Sequence, residues 1–366
     1  MSRLAVVLPR RIDLIFLLAL VVLTAVGVAM VYSTTSGTFR ADLSSRQLLF
    51  AGLGLAAAAV LVSIDYRILL QYSPWLYGAS LMVLVYLALF GSRIAGAKSW
   101  IKLWGGFQIQ PSEFVKLSAA LLLAWVLEND DRTYASGKTI AAIAGAVGAP
   151  VVLILLQPDL GGALTYFPMA LTALFFGGLR ARWWILLIVV GAVLGGGSWF
   201  LLKEYQKDRI RTFLDPNLAA QGAGYQVRQA RIAIGSGGIA GKGWMKGSQS
   251  RLGFLPVRHT DFIFAALAEE WGFLGVSGVL ALYGLVLARG FAIARDARDR
   301  GGAMLTLILS INITVEALVN VAMNVGVLPT TGITLPFVSY GGSSLIACWG
   351  MAGLCLSVAY RRFVNV

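Results

Sequence analysis

A chain of 366 residues, 58% of them hydrophobic and only 13% charged, with a mean hydropathy of +0.78, has more apolar surface than a water-soluble core can hide. A soluble globular domain is excluded. The long, unalternating apolar runs select membrane-crossing helices over a β-barrel, since lipid offers the backbone no hydrogen-bond partners. One histidine and two cysteines, Cys348 and Cys355, seven apart on one predicted helix, suggest neither a Cys/His metal cluster nor a local disulfide.

In chain order the hydropathy pattern predicts ten spans, over residues 13–32, 47–64, 73–91, 112–128, 139–156, 161–178, 182–202, 262–288, 302–325 and 340–360. Arg3, Arg10 and Arg11 precede the first, whose apolar core is too long for a cleaved leader, so it is expected to stay as an anchor. Between the fifth and sixth, "QPDLGG" at 157–162 brings Pro158 and two glycines, which argue for a break rather than one over-long helix. With the N-terminus in the cytoplasm, the inner loops and ends carry 14 Lys and Arg, and the short outer loops only five: Arg40, Arg46, Arg93, Lys98 and Lys102. That asymmetry puts both termini inside.

Residues 203–260 lie between the seventh and eighth helices as a 58-residue outer loop with ten Lys or Arg against Glu204, Asp208 and Asp215. Its net +7 either serves as a solvated cap or calls for an anionic partner, and nucleic acid is not expected on that side. The fold expected is therefore an all-α integral membrane protein, residues 1–366 forming one polytopic domain of ten transmembrane helices with one large extracytoplasmic loop.

Charges inside spans cost a few kcal/mol each on insertion scales, so those that persist pair, line a wet cavity or do chemistry. "QPSEFVK" opens the fourth helix with Pro111 in its first turn and Glu113 three residues before Lys116 on the same face, a neutralised pair placed near the outer surface. Asp159 in "LQPDLGG" sits where it would cap the sixth helix. Asp261, in "HTDFIFAALAEE", reads as an N-cap whose carboxylate the helix dipole keeps ionised, a base held beneath a basic loop. Glu269 lies about 80° around that helix from Asp261 and Glu270 about opposite, so the three cannot share one site, and at least one is expected to pair with another helix. Glu316 in the ninth span reads as a packing partner. "IAIGSGGIAGKGW" at 232–244 lacks the spacing of a nucleotide phosphate loop: Ser236 stands where a glycine is required and Gly243 follows Lys242. With Lys242 and Lys246 it reads as a flexible glycine-rich loop that could close over lipid head groups.

"VNVAMNVGVLPTTGITLPFVSYGGSS", residues 319–344, resembles the signature of the shape, elongation, division and sporulation family, the relatives of RodA and FtsW, with Asn320, Gly326, Pro329, Gly332, Pro336 and Ser339 to Ser344 at that family's spacing. "RQ" at 46–47, "QPSEFVK", "QPDLG", "GYQ" at 224–226, "IAIGSGG" and "HTDFIFA" extend the likeness along nearly the whole chain, and "GKGWMKGSQSRLGFLP" is similar to the RodA branch. One departure is Val257 and Arg258, where relatives commonly place an acidic residue after the proline.

The resemblance implies a peptidoglycan glycosyltransferase that polymerises lipid II on the outer face of the cytoplasmic membrane, for cell elongation and rod shape, with a class B penicillin-binding protein as crosslinking partner. Asp261 would be the general base on the acceptor GlcNAc 4-hydroxyl, which attacks the donor anomeric carbon with inversion as undecaprenyl diphosphate leaves. Arg46, Lys116, Arg209 and Arg211 are the cations that would steady the leaving diphosphate, Glu113 would hold Lys116, and Asp159 would orient sugar or a divalent cation (Mg or Mn), which no motif calls for. His259, Thr260 and Ser343, inside the matching motifs, complete the substrate-binding set. Two other functions fit the composition: a lipid-linked oligosaccharide flippase, which broken helices would suit, and a non-catalytic membrane scaffold built on small residues such as Gly275, Gly278 and Gly284.

Overall fold

The computed structural model describes residues 12–38, 40–91, 98–102, 108–130, 132, 134–198, 204–214, 223–255 and 257–362. Arg3, Arg10, Arg11, Arg93, Lys203 and Asp215, which entered the charge reading, lie outside them. In chain order the helices are α1 (Leu14–Thr35), α2 (Asp42–Ser63), α3 (Tyr66–Gln71), α4 (Ser73–Phe90), α5 (Pro111–Glu128), α6 (Gly137–Leu156), α7 (Leu160–Leu164), α8 (Phe167–Phe176), α9 (Ala181–Ser198), α10 (Glu204–Leu214), α11 (Ala223–Gly237), α12 (Ser248–Arg251), α13 (Ile263–Arg295), α14 (Arg300–Val325) and α15 (Gly342–Arg361). Between α4 and α5 two short strands, β1 (Ile101–Lys102) and β2 (Gln108–Ile109), pair antiparallel.

Among the described residues, α1, α2, α4, α6, α13, α14 and α15 are long and apolar enough to cross a membrane. Helices also occupy the other three predicted spans: α5 carries Glu113, Lys116 and Glu128, α7 and α8 are short, and α9 ends at Ser198. The molecule is a multi-pass membrane protein. Helices α5, α14 and α15 are largely buried, with Leu123, Leu305, Ile308, Leu309, Cys348, Trp349, Met351 and Cys355 in the core. Small residues let the inner helices approach: a Cβ added at Gly353 of α15 would come within 2.8 Å of the Ala58 Cα of α2. At the periphery Met82 and Phe90 of α4 and Ile185 and Ile188 of α9 are exposed, an apolar coat suited to lipid.

The break between the fifth and sixth predicted spans is present: α6 stops at Leu156 and Asp159 caps α7, accepting from Gly162 N at 2.9 Å. Two expectations need correcting. The segment 203–260 is not merely a solvated cap, because Ala230 and Ala233 of α11 are fully buried in a small second core with Leu255, Phe262 and Ala265. Nor is the eighth span one continuous helix. At Gly272 (φ 65°, ψ −164°) α13 is kinked, and the opened backbone is filled from "GSGGIAGKG": Phe273 and Leu274 donate to Gly238 O and Ile239 O, while Lys242 N and Gly243 N donate to Glu269 O and Glu270 O. Only glycine adopts that φ/ψ without strain, so the glycine-rich stretch is welded to α13 rather than loose.

Candidate functional site

Residues 257–262 enter α13 through a turn in which Val257 holds a left-handed backbone (φ 48°) and Thr260 N donates to Val257 O. The signature segment 319–344 grips this turn. Asn320 Nδ2 and Asn324 Nδ2 each donate to Asp261 O at 3.0 Å, Ser339 Oγ donates to Thr260 O at 2.7 Å, and Tyr340 N donates to His259 O at 2.8 Å. Asn320 and Asn324 are themselves fully buried, and Asn320 also donates to Ile333 O at 2.7 Å. Gln47 of α2 closes the ring by donating to Ser339 O. Because the backbone around Asp261 is fixed by side chains of α14 and of the segment before α15, its carboxylate is aimed without spending its own oxygens on a cap.

That corrects the N-cap expectation: the cap of α13 is Phe262, with no side-chain cap bond. Asp261 is half-buried beside Gly332 (φ 81°), where a Cβ would stand 3.8 Å from Asp261 Oδ2. Nor is the group held fully ionised by a dipole. Burial pushes its pKa up to about 6, and the Arg209 guanidinium and the Thr260 hydroxyl pull the other way. A carboxyl poised near 6 is largely ionised at neutral pH yet keeps real affinity for a proton, which suits a base.

Around it the predicted residues divide. Arg209 of α10 donates from Nη1 to Thr330 O at 3.0 Å, beside a small cleft of about 50 Å³ shared with Arg231 and Gly326. His259 faces Arg40, whose Nη1 lies 3.4 Å from His259 Nε2; arginine only donates, so Nε2 accepts. Burial, with Arg40 and Arg258 adding to it, pushes the His259 pKa down to about 4, so the ring is neutral at physiological pH. Thr260 donates its hydroxyl to Val257 O.

Other predicted residues are engaged elsewhere. Lys116 is buried, with Nζ 2.9 Å from Glu113 Oε2 and 2.8 Å from Glu316 Oε1, while Asn312 donates to Glu316 at 2.8 Å. The pair expected near the outer surface is thus part of a buried triad, with Lys116 engaged by both carboxylates. Arg211 pairs with Asp208 at 3.2 Å and Arg46 with Asp42 at 2.9 Å, both on exposed helix faces. Asp159 also accepts from Gln110 Nε2 at 2.8 Å, and Ser343 Oγ accepts from Gln110 N at 2.9 Å and donates to Gln108 O at 3.3 Å, so these two tie β2 and α5 to α7 and α15. Glu269 accepts from Lys242 Nζ, Gln249 N and Ser250 N, and Glu270 takes Ser33 Oγ of α1 and Met245 N. Among the described residues no three His, Cys, Asp or Glu gather into a group that could hold a metal ion, and Asp159 is committed to its cap and to Gln110.

Sequence reasoning missed the grip on Asp261. Asn320 entered only as part of the signature, and Asn324 and Gln47 were given no role. The available signal was two asparagines four apart on a predicted membrane-crossing helix, which in lipid must find partners.

Fold and site together define a polytopic helical membrane protein with a backbone-clamped carboxylate at one end of the bundle, among cations. Residues 8–363 match the FtsW/RodA/SpoVE family of cell cycle proteins, and the chain belongs to that family. It is 37% identical over 350 residues to the peptidoglycan glycosyltransferase MrdB of Escherichia coli K12, covering 95% of this chain and 93% of that one. To a probable peptidoglycan glycosyltransferase FtsW of Trichlorobacter lovleyi it is 35% identical over 358 residues, covering 95% and 93%. Among solved structures it is similar to a chain of a peptidoglycan synthase complex that coordinates polymerization and crosslinking (TM-score 0.83, 34% identity, 97% of this chain and 99% of that one). It is also similar to the rod shape determining protein RodA of Thermus thermophilus (TM-score 0.72, 32% identity, 97% and 98%).

Proposed function

We propose that this protein is a peptidoglycan glycosyltransferase that extends glycan strands from lipid II at the outer face of the bacterial cytoplasmic membrane, with ten transmembrane helices, both termini inside and a class B penicillin-binding protein as partner. The observation that carries the reading is Asp261: half-buried, fixed through its backbone, with a carboxyl pKa of about 6 and a guanidinium nearby. In the reaction Asp261 takes the proton of the acceptor's GlcNAc 4-hydroxyl as that oxygen bonds to the donor's anomeric carbon. The bond from that carbon to the diphosphate oxygen breaks, the electron pair leaves with the lipid diphosphate, and the configuration inverts. Arg209 is the described cation that acts electrostatically on Asp261, and it contributes to the field over the developing diphosphate charge. Identity of 34–37% over nearly the whole chain to glycosyltransferases and a peptidoglycan synthase chain supports the same activity here.

The test is polymerisation of fluorescent lipid II by the purified protein and by Asp261→Asn. The wild type is expected to make glycan chains and the variant to bind lipid II but make none. Asparagine also removes a buried charge, so at pH 7.5 the variant should melt no lower than the wild type. Glycan at normal yield from Asp261→Asn refutes the assignment, and lipid II crossing between liposome leaflets with no polymer made points to a flippase.

A further inference from the structure

Helices α1 and α2 do not pack along their whole length. Between them lies a groove of about 660 Å³, lined by one stripe of α1 that includes Ala25, Ala29 and Tyr32, by Leu48 and Ala51 of α2, and floored by Trp349 of α15. Its lining is almost wholly apolar, and its size lies within the roughly 300–1,000 Å³ of small-molecule pockets, enough for a stretch of one chain. Leu48 is 63% exposed and Tyr32 46%, so the groove opens sideways to lipid.

The groove has one polar end. There Ser44 and Ser45 of α2 and Trp244, whose ring lies tilted 6.2 Å from that of Tyr32, complete the lining. Three arginines crowd the α1–α2 turn beside it. Arg258 Nε donates to Thr34 O at 2.9 Å, an Arg251 amino group would stand 3.9 Å from a Cβ at Gly37, and Arg40 reaches His259. They are close enough that Arg40 and Arg251 disfavour the charge on Arg258, which burial disfavours most. Like charges gathered at the mouth of an apolar groove are unfavourable alone and favourable once an anion arrives.

The cluster bears on the reaction through His259. Arg40 contacts its ring, and the next residue but one is Asp261. Arg209 reaches the same neighbourhood through different elements, α10 and the Thr330 carbonyl. An inverting transfer needs the leaving diphosphate and the base at separate places around the anomeric carbon, and the α1–α2 turn provides a cationic place one contact removed from Asp261. From this we infer that the α1–α2 groove seats the polyprenyl chain of the donor, with its diphosphate on Arg40, Arg251 and Arg258. A diphosphate carries more charge than the single phosphodiester of a membrane phospholipid, matching three guanidinium groups rather than one. The inference rests on the glycosyltransferase reading and adds which end of the site holds the donor.

The experiment uses the full chain in nanodiscs with undecaprenyl diphosphate bearing a diazirine on its prenyl chain. After irradiation the label should map to residues 21–32 and 48–55. A hundredfold excess of phosphatidylglycerol should leave labelling in place, and Arg40→Ala/Arg258→Ala should lower it about tenfold. Ala25→Phe, which fills open space and leaves the fold intact by melting temperature, should raise the KM for a full-length lipid II at least fivefold and leave that for a short-chain lipid II unchanged. Label spread evenly over α4 and α9, or lost to phosphatidylglycerol, means an annular lipid and overturns the inference, as does an unchanged KM in Ala25→Phe. Labelling does not depend on turnover. A protein that labels in the groove yet makes no glycan keeps the lipid site and overturns the glycosyltransferase reading; one that polymerises without labelling there keeps the activity and overturns the groove.

Discussion

Lys116→Met tests how the membrane-buried triad supports the site. Lys116 is 1% exposed and is the one cation between Glu113 and Glu316, which are 8% and 4% exposed. Methionine fills nearly the same volume, so packing is kept while two carboxylates lose their counter-charge. Stranding a partner of a buried ion pair costs about 3–5 kcal/mol. At roughly 2–4 °C per kcal/mol for larger domains, that is a fall in Tm on the order of 10 °C. Adding Glu316→Gln removes one stranded charge while keeping a group for Asn312 Nδ2, so the double variant should regain about half the loss. Thermal unfolding in a mild detergent, followed by tryptophan fluorescence, reads both. A Lys116→Met protein melting with the wild type, or a Glu316→Gln change that deepens the loss instead of relieving it, refutes the view that Lys116 is a structural counter-ion rather than a ligand for substrate.

Two further outcomes concern the surroundings of Asp261 and a third the stretch held by Glu269. Asn324→Leu removes one of the two side-chain donors to Asp261 O and should lower kcat on the order of 10²-fold with a small change in KM, because a misplaced base fails in the transition state more than in binding; steady-state kinetics on lipid II decides it. Gly332→Ala forces a side chain into a left-handed position beside Asp261, costing about 1–2 kcal/mol and crowding the carboxyl, so glycan yield should fall more than Tm does. Glu269→Gln removes the charge that receives Lys242 and two backbone N–H groups, and limited proteolysis should then cut within 242–251, where the wild type resists.

What the sequence disclosed and what it hid follow from range. Helix positions came from local hydropathy, and most predicted spans coincide with helices to within a few residues at most ends, though the sixth is divided into α7 and α8 and the eighth is kinked at Gly272. The Glu113–Lys116 contact was legible because i,i+3 residues share a helix face. Its third member was not, since Glu316 lies 200 residues away and only packing of α14 on α5 brings it in. The Gly272 kink was hidden for a similar reason: an apolar helix pattern runs straight through it, and its cause is a distant strand of glycines that replaces the lost helical bonds. Asp261 looked like a cap because "HTD" before an apolar run is what caps look like; asparagines 59 and 63 residues further on hold its backbone instead and free its carboxylate.

The most direct measurement is the pH dependence of single-turnover glycan bond formation, for the wild type and Arg209→Gln. A carboxyl raised to about 6 is protonated and inactive as a base below that pH, so the rate should climb through a midpoint near 6 and level off above 7. Arg209 lowers that pKa, so removing its charge should move the midpoint upward. A rate flat from pH 5 to pH 8, or a midpoint that moves downward in Arg209→Gln, contradicts Asp261 as the base.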